Sequence, residues 1–152
     1  MFHSSFFFMQ TELRYPHRLV HLQYTKWPDH GVPSDAKAIR SMINLVEEER
    51  ASDPLPSRPI VVHCSAGLGR TGTFCAIHQI IMQMRRAVRT PGFDLSSYSV
   101  NLYQTVLQMR ECRSGMVQQL AQYTFCYRAI IEEACDLQLL GRKFSLRYLS
   151  VS

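Results

Sequence analysis

Apolar positions along this chain change period several times, and each change marks an element. Residues 18–24 (Arg-Leu-Val-His-Leu-Gln-Tyr) alternate and are rich in β-formers, which predicts a strand. Residues 27–33, Trp-Pro-Asp-His-Gly-Val-Pro, carry two prolines and a glycine and predict a loop. Ser34 is placed as a helix N-cap with Asp35 in the first turn. Ile39, Met42, Ile43 and Val46 follow at i, i+3, i+4, i+7, one helical face. Residues 53–59 hold three prolines and predict a linker. Ile60-Val61-Val62 is β-branched and unbroken, the pattern of a buried strand.

The second half reads as helices. Phe74, Ile77, Ile81, Met84 and Val88 recur at helical spacing until Thr90-Pro91-Gly92. Tyr103, Val106 and Leu107 mark another helix, ending near Arg113-Ser114-Gly115. Leu120, Tyr123, Tyr127, Ile130, Ile131 and Ala134 mark a last, long one. Residues 1–17 show no clear period, and Phe6-Phe7-Phe8 reads as a packing patch or leader. Strand, loop, helix, strand, loop, helix predicts an α/β fold with both strands in one sheet through a right-handed crossover. Both proline- or glycine-rich loops then follow strand ends, where such folds place their sites.

Composition narrows the partners. The chain has 152 residues, one domain by length, with 46% hydrophobic and 19% charged residues, so it is globular rather than disordered. A net charge of +5 suits an anionic substrate. The basic residues are dispersed, which argues against a nucleic-acid surface. No apolar run reaches membrane-spanning length. The five cysteines are odd in number and lack metal-ligand spacing, so a reducing compartment is expected, with no metal and no cofactor.

Candidate chemistry concentrates in Val62-His63-Cys64-Ser65-Ala66-Gly67-Leu68-Gly69-Arg70-Thr71-Gly72. A thiolate is the reactive form of cysteine, and a helix N-terminus favours it. Gly67 and Gly69 allow the backbone to curl its N–H groups inward around an anion. Arg70 supplies a planar fork for two phosphoryl oxygens. The Thr71 hydroxyl can support the sulfur as a leaving group. A bare Cys-x5-Arg is a weak signal. The full run between a predicted strand and a predicted helix is a strong one. His63 reads as a structural residue beneath the loop rather than a proton carrier. Expulsion of an oxygen leaving group calls for an acid, and Asp29 is the candidate, with Trp27 as the anchor of its loop.

Three segments together resemble the tyrosine-specific branch of the protein tyrosine phosphatases: residues 27–33, residues 62–74, and residues 110–123 with Arg110, Arg113, Gly115, Gln118, Gln122 and Tyr123. The resemblance spans residues 18–135. It implies a partial phosphatase fold, with a few strands of a mixed sheet packed with about four helices. By it, residues 1–17 are an unmatched leader, 18–135 the C-terminal half of a catalytic domain and 136–152 a tail.

The resemblance implies hydrolysis of phosphotyrosine in proteins. Cys64 would be the nucleophile and Arg70, with residues 65–70 (Ser65, Ala66, Gly67, Leu68, Gly69), would hold the phosphate. Asp29 would be acid then base. Gln118 would position the attacking water, supported by Gln122. The family's domain is about twice as long, and the part that grips the substrate ring has no counterpart in residues 1–17, so a truncated domain is expected. A phosphate-binding decoy and a fragment without function are the competing readings. A small dual-specificity phosphatase suits the length, but the acid loop and the 118–123 segment point away from it. A cytoplasmic protein, or the cytoplasmic part of a larger membrane protein, is expected. Oligomeric state is left open.

Overall fold

The computed structural model describes residues 2–9, 17–28, 31–53 and 59–140. The chain divides into two compact units, Met1–Ile60 and Val61–Ser152. Among the described residues the element order is β1 (Phe2–Met9), β2 (His17–Tyr24), α1 (Lys37–Ser52), α2 (Gly69–Arg89), α3 (Leu102–Cys112) and α4 (Leu120–Asp136).

In the first unit β1 and β2 form an antiparallel pair, with Phe2 opposite Tyr24 and Met9 opposite His17. The β2 strand agrees with the alternation read over 18–24. The strand at Phe2–Met9 does not appear in the sequence reading, because consecutive phenylalanines mask any period-two signal. Helix α1 buries Ile39, Ile43 and Val46 as their spacing requires. Its N-cap is Ala36 rather than Ser34. The first free N–H, that of Lys37, donates to Asp35 Oδ1 at 2.9 Å, so the aspartate takes the role assigned to the serine.

The predicted strand at 60–62 is a correction. Among the described residues the sheet contains β1 and β2 alone. Residues 60–62 therefore do not join β2 in a crossover sheet. Ile60 and Val61 are exposed, Val61 at 85%. A β-branched run encodes a strand only where a neighbouring ladder takes up its N–H and C=O groups.

The second unit is three helices, with α2 packed on α3 and α4. Its core is a stripe of α2: Phe74, Ala76, Ile77, Ile80, Ile81 and Met84. Asn101 caps α3 by accepting from the Gln104 N–H at 2.9 Å. Two helix faces differ from the periodicity. In α3, Leu102, Thr105 and Val106 are buried, while Tyr103 is 61% exposed. In α4 the buried face is Gln122, Phe125, Cys126, Ala129, Ile130, Glu133 and Ala134. Leu120 and Tyr127 are exposed. At about 100° per residue, that face lies roughly a third of a turn from the one drawn through the largest apolar residues.

The reason is chemical. Small Cys126 and Ala129 let α4 approach α2 closely. The polar members of the face have assigned partners: Glu133 Oε1 accepts from Arg85 Nε of α2 at 2.7 Å. Tyr123 and Tyr127 satisfy each other, hydroxyl to hydroxyl at 3.3 Å.

Candidate active site

The run from Cys64 to Thr71 forms a turn that feeds directly into α2, whose N-cap is Leu68. Gly67 has φ +70°, the left-handed region that glycine enters without steric cost. This conformation points the Gly67 N–H at the Cys64 sulfur, 3.3 Å away. Burial pushes the Cys64 thiol up. It is outweighed by the Thr71 side chain and the backbone N–H groups of Thr71, Gly67 and Leu68, which bring the pKa from 9.0 down to about 7. Donors converging on sulfur favour the charged form. The Thr71 Oγ1 is buried and meets no partner at full hydrogen-bond geometry. The same side chain nonetheless lowers the Cys64 pKa.

Arg70 occupies the second residue of α2. Ser65 and Ala66 are exposed, Gly67 and Leu68 half-buried and Gly69 buried, so the loop faces solvent on its leading side. His63 is also exposed, with Nδ1 3.4 Å from the Cys64 carbonyl oxygen.

Three side chains from the 110–122 segment reach this turn. Arg113 Nη2 donates to the Ala66 carbonyl at 3.2 Å. A Cβ placed on Gly69 would stand 2.8 Å from Gln122 Nε2 and 2.9 Å from Gln118 Oε1, so both glutamine amides lie over the start of α2. Gln122 is buried, and its Oε1 accepts from the N–H groups of Gln118 and Gln119 at 3.0 and 3.2 Å. It satisfies orphan donors at the entry to α4. Gln118 itself is exposed. The contributions of Arg110, Arg113 and Gly72 do not emerge from residue-by-residue reading. The sequence carries their signal only as parts of the 110–123 resemblance and the glycine that closes the cysteine loop.

Gly72 has a strict requirement. A Cβ there would sit 2.5 Å from the Val117 backbone nitrogen. The bare glycine lets residues 116–117 press on α2, where the Val117 N–H donates to the Leu68 carbonyl at 3.2 Å.

The other loop belongs to the first unit. Trp27 is buried, its ring edge-on to Tyr24 at 5.8 Å, and its Nε1–H donates to the Gly31 carbonyl at 3.3 Å. That bond ties Trp27 to the residue four positions on. Asp29 itself lies outside the described residues. Among the described residues, no group of three or more His, Cys, Asp and Glu could hold a metal ion. No helix of the described residues is long and apolar enough to cross a membrane.

Comparison with known proteins gives the family. The model of the protein-tyrosine phosphatase family matches residues 4–132. A protein-tyrosine phosphatase of Arabidopsis thaliana is 44% identical over 122 residues, 80% of this chain and 32% of its own. Human tyrosine-protein phosphatase non-receptor type 9 is 38% identical over 134 residues, 82% of this chain and 21% of its own. Among solved structures, the catalytic domain of human protein tyrosine phosphatase non-receptor type 18 superposes with a TM-score of 0.65 at 32% identity, covering 79% of this chain and 39% of that one. The chain thus spans about a third or less of the curated relatives it matches. With the family model covering most of its length, and a partial α/β fold that superposes on a solved catalytic domain, the chain belongs to the protein-tyrosine phosphatase family.

Proposed function

We propose that this chain hydrolyses phosphotyrosine in proteins through a cysteinyl-phosphate intermediate. The observation that carries the reading is the Cys64 thiol, drawn down to about 7 by donors of the turn that opens α2. Near neutral pH about half of such a thiol is thiolate, against a few per cent for an ordinary cysteine.

In the first step the Cys64 sulfur pair attacks phosphorus and the bond from phosphorus to the tyrosine oxygen breaks. That oxygen takes the electron pair, and Asp29 supplies its proton. Arg70 and the N–H groups of residues 65–70 neutralise the charge spread over the phosphoryl oxygens. In the second step water attacks phosphorus, the sulfur–phosphorus bond breaks and its electron pair returns to Cys64. Asp29 now receives the water's proton. The Gln118 amide orients that water, with Gln122 holding the adjoining backbone. Thr71 stabilises the departing sulfur. The roles of Asp29 and Gln118 rest on family membership together with the position of each in its motif.

The domain division proposed is an N-terminal segment 1–17, a catalytic half over 18–135 and a tail over 136–152, although the family match begins at residue 4. A cytoplasmic location fits a chemistry that needs a reduced thiol. The partner is a phosphotyrosine-containing protein or peptide, in keeping with relatives named tyrosine phosphatases.

Cys64→Ser tests the reading. It should abolish hydrolysis of p-nitrophenyl phosphate by the purified chain. Iodoacetamide alkylation of wild type should titrate with a midpoint near 7, with modification mapping to Cys64. Burial pushes the Cys126 thiol up to about 12 and raises Cys75, so both stay unreactive there. Folded wild-type protein without Cys64-dependent turnover would sink the catalytic claim. Phosphopeptide binding without turnover would favour the decoy.

A further inference from the structure

Val117 has φ +59° and is almost completely buried. A β-branched residue in the left-handed region is a steric outlier, and it persists only where its surroundings dictate it. The surroundings here are specific. Arg110 Nε donates to the Met116 carbonyl at 2.9 Å, and Arg110 Nη2 donates to the Val117 carbonyl at 2.8 Å. One planar guanidinium thus bridges two consecutive carbonyls, which a single ammonium cannot match in one plane. On the other side the Val117 N–H is tied to the Leu68 carbonyl, the same oxygen that accepts from Gly72 N–H at 2.9 Å. Leu68 is also one of the residues whose N–H lowers the Cys64 thiol.

The residue that leaves this turn is Gln118, whose Oε1 stands over Gly69. The left-handed turn at Val117 sets the direction in which the chain departs. Relaxed to an ordinary conformation, it would carry Gln118 away from α2. Arg110 makes its two described bonds to the backbone of 116–117 and acts on the reaction through Gln118.

We propose that Arg110 is the positioning residue for the second chemical step: its guanidinium holds Val117 left-handed and thereby keeps Gln118 over the anion loop. This deepens the hydrolytic reading above and rests on it. The step concerned is attack of water on the cysteinyl phosphate, in which the sulfur–phosphorus bond breaks and the electron pair returns to Cys64.

Two readouts test it on the full chain, with Arg110→Ala and Arg110→Lys. Amide hydrogen exchange at Val117 and Gln118 should quicken by about tenfold or more in Arg110→Ala, while mid-α2 amides keep their wild-type rates. Rapid-quench mass spectrometry with p-nitrophenyl phosphate should show phosphoenzyme forming within about threefold of the wild-type rate. Its breakdown should slow by roughly tenfold, so that more of it accumulates. Arg110→Lys should fall between. If the alanine variant does not fold, the lysine variant carries both readouts.

Unchanged exchange at 117–118 overturns the clamp whatever the kinetics. Equal slowing of formation and breakdown, or of neither, overturns the assignment to the second step. A wild-type chain that forms no phosphoenzyme at all overturns the hydrolytic reading and the kinetic half of this proposal. The exchange result then still decides whether Arg110 shapes the turn.

Discussion

The cysteine loop and the tryptophan loop are both short, glycine-containing turns, yet they are held in different ways. The turn at 64–71 is fixed from several directions by separate elements. The Gly67 N–H meets the sulfur, Arg113 holds the Ala66 carbonyl, the Leu68 carbonyl accepts from both Gly72 and Val117, and two glutamines cover Gly69. In the turn at 27–33 the Trp27 indole donates to the Gly31 carbonyl and its ring packs on Tyr24. A nucleophile whose pKa depends on converging donors needs a preorganised frame. An acid that must reach the substrate only after it binds needs an anchor and freedom beyond it. The donors around the cysteine loop and the anchor of the tryptophan loop follow the chemistry proposed for each.

The largest effect should come from the frame behind the cysteine loop. The Arg85–Glu133 pair joins α2 to α4 at 2.7 Å, with the Glu133 side chain 4% exposed. Arg85→Ala removes this cation from a buried carboxylate, a loss of up to about 3–5 kcal/mol. Chemical denaturation should show a loss on that scale, and a change under about 1 kcal/mol would mean that the pair does not hold α2 against α4.

Gly72→Ala comes next. Its Cβ would meet the Val117 nitrogen at 2.5 Å, and that atom is backbone, so one of the two segments must move. Overpacking of this kind costs about 1–3 kcal/mol. Separation of 117 from Leu68 should also raise the Cys64 alkylation midpoint. The sign follows from the cause: donors from this turn hold the thiol below its ordinary value, so loosening them returns it upward. For the same reason, stability contributed by the folded thiolate is full above pH 9 and is lost as pH falls through about 7. An unmoved midpoint in Gly72→Ala would show that the loop does not depend on the 116–117 contact.

These two loops also mark what sequence can and cannot reveal. The cysteine run was legible because its chemistry is local: thiol, glycine, arginine and threonine all lie within eight residues. Helix α2 was legible for a related reason, since Ile77, Ile81 and Met84 are bulky apolar residues at helical spacing and almost completely buried. Helix α4 separates these properties. Leu120 and Tyr127 carry the apolar bulk but face solvent, while Gln122 is buried against the N–H groups of Gln118 and Gln119, and Glu133 against Arg85, 48 residues away in the chain. Periodicity weighs side chains and is blind to such pairing. Residues 60–62 fail in the opposite sense. Their β-branched side chains announce a strand, but a ladder needs a neighbour, and no propensity supplies one. Val117 shows a third limit, because a left-handed backbone at a β-branched residue contradicts every local preference and exists only by virtue of Arg110, Gly72 and Leu68.

The smallest effect should belong to the tryptophan loop. Trp27→Phe keeps an aromatic ring against Tyr24 but removes the indole donor, leaving the Gly31 carbonyl without that bond. A neutral hydrogen bond contributes about 0.5–1.5 kcal/mol, so global stability should change little. The consequence should instead be kinetic and confined to the step that needs the acid. With p-nitrophenyl phosphate, whose leaving oxygen expels readily without a proton, turnover should hold within a few-fold. With a phosphotyrosine peptide, whose leaving oxygen requires protonation, it should fall by roughly 10- to 100-fold, the scale of general acid catalysis partly lost. The alkylation midpoint of Cys64 should stay in place, because the donors that set it are Thr71, Gly67 and Leu68. An equal drop with both substrates would place Trp27 in binding rather than in presentation of the acid. A shifted Cys64 midpoint would show that Trp27 also acts on the donors around the sulfur.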